Sequence, residues 1–283
     1  MCQDNHANIW ADVSPACLLC GGPSKPFFAV DTSRYSFSTN VRPAITRCRG
    51  CGLAWVNPRL AEVAPAEAEA AAAQERRVEG PAESERERAH DVLAHIGRHA
   101  RPGRLLDIGC GYGYLLKLAA ESGWQAVGVN PNAKEAQYAR AEMGVAVPAR
   151  VVEEASFPDA SFDVVSMVEV LEHLADPVSV LSQANRVLRP GGLLYLQTPD
   201  IDCVEARLLK HRWVMLYVNS HWFFYSDRPL RRLLQRTGFR VVERPLWARG
   251  RHAWGVPLKF ALGLLGLSSL TSITVIARKV GPA

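Results

Sequence analysis

Leu105-Leu106-Asp107-Ile108-Gly109-Cys110-Gly111-Tyr112-Gly113-Tyr114 is the stretch on which the reading of this chain turns. A short apolar run, then glycine at three alternate positions, then residues with helical spacing describe a buried strand that turns sharply into a helix. Glycines 109, 111 and 113 permit a tight turn and let backbone approach a ligand where a Cβ would collide. The dinucleotide fingerprint G-x-G-x-x-G requires glycine at its sixth position, and that position is Tyr114. What stands instead is Asp-x-Gly-x-Gly-x-Gly, with Asp107 in the strand and the glycines beyond it.

Outward from this turn, strands and helices alternate. Strands are expected over residues 105–108, 124–129, 145–152 (broken by Pro148), 162–168 and 193–197. Helices are expected over 114–122, 133–143, 177–188 and 230–237, and residues 240–243 and 272–277 read as a closing hairpin-like pair. Such alternation predicts a Rossmann-like, doubly wound α/β sheet covered on both faces. Upstream, residues 82–99 favour helix, with Ala89, Val92, Leu93 and Ile96 forming a face suited to a sheet. Residues 66–79 favour helix by propensity but are so alanine-rich and polar that they are expected to be mobile or to act as a lid. The division this implies is a module over 1–60, a helical linker or lid over 61–100, and the main domain over 101–283.

Ahead of that domain stand two C-x-x-C knuckles, Cys17-Leu18-Leu19-Cys20 and Cys48-Arg49-Gly50-Cys51. Each brings two thiolates to one side of a turn, and two pairs complete the tetrahedral sulfur shell that zinc prefers. Residues 27–30, 35–38 and 53–56 read as short strands around them, so the module resembles a zinc ribbon. Four thiolates leave no open coordination position, which makes the expected Zn2+ structural. Cys110, inside the glycine turn, reads as a small packing residue.

The 283 residues are 48% hydrophobic with a net charge of +5. Residues 1–200 hold 19 Lys/Arg against 24 Asp/Glu, and residues 201–283 hold 14 against 4. The basic excess near Arg228, Arg231, Arg232 and Arg236 reads first as a solvated helix face and second as a surface for an anionic substrate or nucleic acid. No basic start precedes an apolar run, and the apolar stretch 260–267 is far short of a bilayer span. A cytoplasmic protein with no membrane span is therefore expected.

The glycine motif, together with Phe162-Asp163-Val164-Val165, Val170-Leu171-Glu172-His173-Leu174, Leu188-Arg189-Pro190-Gly191-Gly192 and Leu234-Gln235-Arg236-Thr237-Gly238-Phe239, resembles the class I S-adenosylmethionine-dependent methyltransferases. The similarity is to their ubiquinone-methyltransferase-like branch and covers roughly residues 90–280. The four-cysteine module, with its Cys-Gly-Leu and Asn-Pro-Arg pattern, also resembles the front end of some sugar and natural-product methyltransferases. The resemblance implies that Gly109, Cys110 and Gly111, with Gly113 closing the turn, pass beneath the methionine part of the cofactor. Asp107 would help hold its amino group, and Val168 would end the strand facing it. The second strand normally ends in an acidic residue that takes both ribose hydroxyls, but here Asn130 stands there, followed by Pro131. Asparagine lacks a carboxylate's two charged acceptors, so weaker binding is expected, and Asn130→Asp is expected to strengthen it. The adenine would lie against Val151 and Val152, with Glu153 at its edge.

Methyl transfer needs alignment, dehydration and, for a hydroxyl acceptor, a base. His173 and His221 are the candidate catalytic bases, one after the fourth strand and the other in the aromatic segment 219–225. The function expected is methyl transfer to a small molecule, at oxygen. The alternatives are an RNA-modifying methyltransferase gripping phosphates with its ribbon and basic C-terminal segment, or a redirected, non-methylating protein on the same fold.

Overall fold

The computed structural model describes residues 10–11, 16–30, 44–57, 59–60, 83–213, 215–216, 221–245 and 271–281. The strand expected over 35–38, the helix over 66–79 and the apolar stretch 260–267 lie outside these residues. The strands, in chain order, are β1 (Trp10–Ala11), β2 (Ser24–Ala29), β3 (Ala44–Cys48), β4 (Ala54–Asn57), β5 (Arg59–Leu60), β6 (Arg104–Ile108), β7 (Gln125–Val129), β8 (Phe162–Val168), β9 (Leu188–Pro199), β10 (Phe223–Phe224), β11 (Phe239–Glu243) and β12 (Ser272–Lys279). The helices are α1 (Glu83–Gly97), α2 (Tyr114–Glu121), α3 (Ala133–Glu142), α4 (Pro177–Val187), α5 (Val204–Leu209) and α6 (Asp227–Arg236).

The main sheet has the order β11-β12-β9-β8-β6-β7. Strands β7, β6, β8 and β9 are parallel, and β12 runs antiparallel to β9 on one side and to β11 on the other. Leu105 and Leu106 of β6 are fully buried, as are Val164 and Val165 of β8. Covering both faces of a sheet calls for mostly apolar strands, and these two are apolar at their centres, the buried exceptions being the paired Asp107 and Ser166. On one face Ala89, Val92 and Ile96 of α1 pack with Leu105, Leu116, Ala119 and Trp124. On the other, Leu181 and Ala184 of α4 and Leu230, Leu233 and Leu234 of α6 pack with Leu106, Val165 and Leu194. Among the described residues no helix is long and apolar enough to cross a membrane.

Two elements depart from expectation. Residues 145–152 form no strand: Gly128 N–H reaches Ala146 O (3.2 Å) and Asn130 N–H reaches Pro148 O (3.4 Å). The segment thus runs beside β7, but Pro148 has no N–H to extend a ladder, and a 3₁₀ turn at Val152–Glu154 follows. Strand β9 is longer than read, beginning at Leu188 as α4 ends, because Leu188 is extended (φ −71, ψ 138) and Pro190 cannot continue a helix.

A second sheet, β10-β4-β3-β2, contains the cysteine module and borrows β10 from the far end of the chain. Its register pairs Phe223 with Trp55 and Phe224 with Ala54. The module is pinned again by Arg47, whose guanidinium forks onto Asp202 with bonds of 2.9 and 2.6 Å. Arg236 of α6 donates to the carbonyls of Leu18 and Leu19 in the first knuckle. A forked Arg–carboxylate pair fixes orientation as well as distance.

Candidate functional site

The glycine turn grows straight out of β6. Gly109 and Cys110 both donate to Val129 O at the end of β7, at 2.8 and 3.3 Å, so the turn lies against the neighbouring strand's end. Gly109, Gly111 and Gly113 all have positive φ (71, 51 and 85), the region in which a side chain is strained. Their surroundings differ. A Cβ at Gly109 would sit 2.4 Å from a Val170 methyl, and one at Gly113 would press on Val145 and Ala139, whereas one at Gly111 meets nothing within 4 Å. The first and third glycines serve internal packing, and Gly111 borders open space. Gly128 admits the Cys110 sulfur, since a Cβ there would lie 2.6 Å from it, which confirms Cys110 as a packing residue.

Asp107 is buried and accepts a 2.6 Å hydrogen bond from Ser166, its cross-strand partner. Burial pushes its carboxyl up to about 7, with the Ser166 hydroxyl working the other way. A carboxylate held dry beside an open glycine turn suits a ligand's ammonium, which would restore the ionised form. Asn130, just past β7, is also buried. Its amide donates to Gly111 O (3.3 Å) and to Glu135 Oε2 (2.8 Å), and its oxygen accepts from Asn132 N–H (3.3 Å). Pro131 is half-buried beside it; Val151 is half-buried, Val152 is buried in the main core and Glu153 is exposed, all on the 145–152 edge of the sheet. Val168, half-buried, ends β8 and packs towards α1 and α2.

Beyond β8 the chain rises to Glu169, whose φ of +55 is a strained backbone for a residue with a side chain. Its amide donates to Gln197 O (2.9 Å) and its carboxylate accepts from Ser272 (2.9 Å). Glu172 follows in a 3₁₀ turn, wholly buried, with one oxygen accepting from Thr198 (2.8 Å) and Oε1 finding no hydrogen-bond partner among the described residues. Burial, reinforced by the charge of Glu169, holds its carboxyl well above the usual range. The rings of His173 and His221 stand edge to face with centroids 4.6 Å apart. His221 Nδ1 donates to Met215 O (2.9 Å), which leaves Nε2 as its basic nitrogen when the ring is neutral. The two histidines expected to be catalytic are therefore neighbours, although they are far apart in sequence. One ligand atom from each of Glu172, His173 and His221 lies within 4.8 Å of the others, a grouping able to relay a proton or hold one divalent cation. Thr198 and the buried Tyr225, whose hydroxyl has no partner among the described residues and whose acidity burial suppresses with Glu172 adding to it, complete this wall. Thr198 carried no sequence signal of its own, whereas Tyr225 closes the aromatic segment 219–225 that the sequence singled out.

The sulfurs of Cys17, Cys20, Cys48 and Cys51 lie within 4.8 Å of one another, with Cys17–Cys51 and Cys20–Cys48 at 3.5 Å. Sulfurs bound tetrahedrally at about 2.3 Å from zinc stand about 3.8 Å apart, so the donor set and its spacing fit that ion. Burial raises the Cys17 and Cys51 thiols. At Cys48 burial also raises, but the N–H groups of Cys51 and Gly50 and the Cys20 thiol outweigh it and bring the thiol to about 6. Cys110 and Cys203 stand apart from this cluster.

Comparison with known proteins places the chain by family and fold. A Rhizobium etli ubiquinone biosynthesis O-methyltransferase is 36% identical over 174 residues, 56% of this chain and 70% of that protein. A second protein of that name, from Hahella chejuensis, is 42% identical over 108 residues, 36% of this chain but only 45% of its own length, so the chain spans under half of that relative. In fold, the chain resembles a Burkholderia thailandensis 1,6-didemethyltoxoflavin-N1-methyltransferase with bound 1,6-didemethyltoxoflavin and S-adenosylhomocysteine: TM-score 0.56, 20% identity, 87% of this chain and 98% of that one. An S-adenosylmethionine-dependent methyltransferase from Mesorhizobium loti gives a TM-score of 0.51 at 18% identity, over 66% of this chain and 97% of that one. The family described as "Methyltransferase domain" matches residues 82–244, more than half of the 283 residues, and the chain belongs to that family of S-adenosylmethionine-dependent methyltransferases.

Proposed function

We propose that this chain moves a methyl group from S-adenosylmethionine to an oxygen of a small-molecule acceptor, with one structural zinc in its N-terminal module. One observation carries the reading: the cofactor-side turn and the proton-handling group share a wall. Val170 closes on Gly109, and three residues along, His173 meets His221. The cofactor supplies an electrophilic methyl on a sulfonium. Asp107, Gly109, Cys110, Gly111, Gly113, Asn130, Pro131, Val151, Val152, Glu153 and Val168 would hold it, and Gly111 offers the open approach that it needs. His221 Nε2 and the His173 ring are placed to take the acceptor's hydroxyl proton, with the buried Glu172 carboxyl beside them. Trp222, Phe223 and Tyr225 supply apolar surface against water.

The O-methyltransferase relatives support an oxygen acceptor, and the buried, aromatic surroundings of His221 support a small molecule over a polynucleotide. The basic C-terminal residues support it too. Arg236 serves the first knuckle, Arg278 bonds to Gly191 O and His99 O, and Lys279 bonds to Asn185 O and Leu188 O. The catalytic unit is taken to begin near residue 82, because α1 already packs on the sheet, with the zinc module ahead of it.

The test is calorimetric titration with S-adenosylhomocysteine, followed by mass spectrometry of reactions on a panel of phenols, catechols and sugar hydroxyls. A mass gain of one methyl on a hydroxylated compound is expected. No binding of S-adenosylhomocysteine by the metal-loaded protein would overturn the reading.

A further inference from the structure

Parallel sheets of this kind commonly hold a ribose through an acidic residue at the end of the second strand, about twenty residues past the glycine turn. Asn130 occupies that place, and its hydrogen bonds show that it is not waiting for a ribose. Both amide hydrogens are spent, on Gly111 O and Glu135 Oε2, and its oxygen already accepts from Asn132 N–H. The residue is 2% exposed. What it does is tie a carboxylate to the glycine turn.

That carboxylate is in an unusual place for its sequence context. Asn132 caps α3, accepting from the N–H groups of Lys134 and Glu135. In a capping box, the acid three residues after the cap reaches back to the cap's own N–H. Here Asn132 N–H is taken by Asn130, and Glu135 turns to the Asn130 amide at 2.8 Å instead. Glu135 Oε2 is held by Asn130, and Oε1 bonds to no described residue. Beside them Gly111 faces open space. A vicinal diol offers two neighbouring O–H donors, which an ionised carboxylate accepts better than an amide does.

Building on the S-adenosylmethionine reading above, we infer that Glu135 is the carboxylate that accepts the ribose diol of the cofactor, and that Asn130 is the positioning residue that holds it. The acid of the second strand has moved one helical turn onward, and asparagine has become its bracket. This reverses what the sequence led one to expect of Asn130→Asp. A second carboxylate 2.8 Å from Glu135 repels it and removes the donor to Gly111 O, so binding weakens.

The probes are S-adenosylhomocysteine and its 2′-deoxy analogue, titrated into metal-loaded protein by calorimetry, with thermal melts confirming that each variant is folded. Wild-type binding of S-adenosylhomocysteine establishes the cofactor reading separately, so failure there is distinguishable from failure of this inference. Glu135→Gln is expected to weaken S-adenosylhomocysteine on the order of tenfold to a hundredfold, as loss of a charged hydrogen-bond acceptor does. The 2′-deoxy analogue should lose much less, because its missing hydroxyl no longer reports the change; a merely structural Glu135 would weaken both ligands alike. Asn130→Asp should also weaken binding, and the swap Asn130→Asp/Glu135→Gln should recover most of it by exchanging carboxylate and amide. Unchanged affinity in Glu135→Gln, equal losses for the two ligands, tighter binding in Asn130→Asp, or a swap no better than its parents would each overturn the inference.

Discussion

A methyl group added at Gly109 would sit 2.4 Å from a Val170 methyl, while one added at Gly111 would meet nothing within 4 Å. Two neighbouring glycines should therefore fail differently when replaced. Gly109→Ala combines left-handed strain with overpacking and should cost about 2–4 kcal/mol of stability, read as a lowered melting temperature. Gly111→Val should remain folded, carrying only the backbone strain, and yet lose S-adenosylhomocysteine binding, because its side chain fills the open approach. Retained affinity in folded Gly111→Val would place the cofactor elsewhere. Asp107 adds a dependence on pH. Its carboxyl stands at about 7 in the fold against 3.8 ordinarily, so folding takes up a proton between those values, and the stability linked to this group falls as pH rises through that window. An ammonium bound beside it needs the ionised form, so ligand binding releases that proton. Affinity for S-adenosylhomocysteine should accordingly rise about tenfold from pH 6 to pH 8 and then level off. Asp107→Asn should bind more weakly and show a flat profile over that range; an unchanged slope would assign the titration to another group.

At the scale of strands and helices, what was legible follows from where the signal lies. Strands β6 and β8 are central and largely apolar, and β6 is bounded by glycine at both ends, so local sequence suffices to read them. The same holds for the four cysteines, whose paired spacing already encodes a shared centre. Strand β10 was invisible, because a two-residue strand whose partner lies near the other end of the chain has no local signature. Segment 145–152 was overread: its apolar composition suits a strand, but Pro148 keeps it from a regular ladder. Glu135 was not legible, because the turn of its side chain to Asn130 depends on tertiary geometry. The same geometry joins the turn after β8 to the segment before β10, so His173 and His221 should be tested as a pair. If they share the acceptor's proton, His173→Ala and His221→Ala should each slow single-turnover methyl transfer by about a hundredfold or more, with S-adenosylhomocysteine affinity kept. Near-normal rates in both would leave alignment and dehydration as the whole of catalysis. Rates in wild-type protein that collapse on brief chelation, while zinc stays at one per chain, would assign the Glu172, His173 and His221 group to a second, exchangeable cation.

Over the whole molecule, the cysteine module and the proton-handling wall are parts of one mechanical path. Cys48 ends β3, β3 pairs with β4, and β4 pairs with β10 through Trp55 and Phe223. Val56 N–H reaches Trp222 O (3.1 Å), and Trp222 N–H reaches Glu172 O (2.8 Å), with His221 one residue before. The glycine turn lies on a different sheet and takes its shape from β6, β7 and Val170. The zinc proposed for these four thiolates would have no open position for chemistry, so its influence would travel along the path of strands. Losing it frees the two knuckles, loosens the β3–β4 edge on which β10 is built, and lets His221 drift from His173 without touching Asp107 or Gly111. Serine at Cys48, or exhaustive chelation with loss of one zinc per chain, should thus cut methyl transfer by tenfold or more while S-adenosylhomocysteine affinity changes by less than about threefold, since a shift of about 1 Å in a catalytic group costs rate far more than it costs binding at a separate site. Arg47→Ala, which removes the fork onto Asp202, should reproduce a milder form of the same split. Affinity that falls in step with turnover would mean that the module supports the entire fold, and turnover indifferent to zinc would break the path at β10.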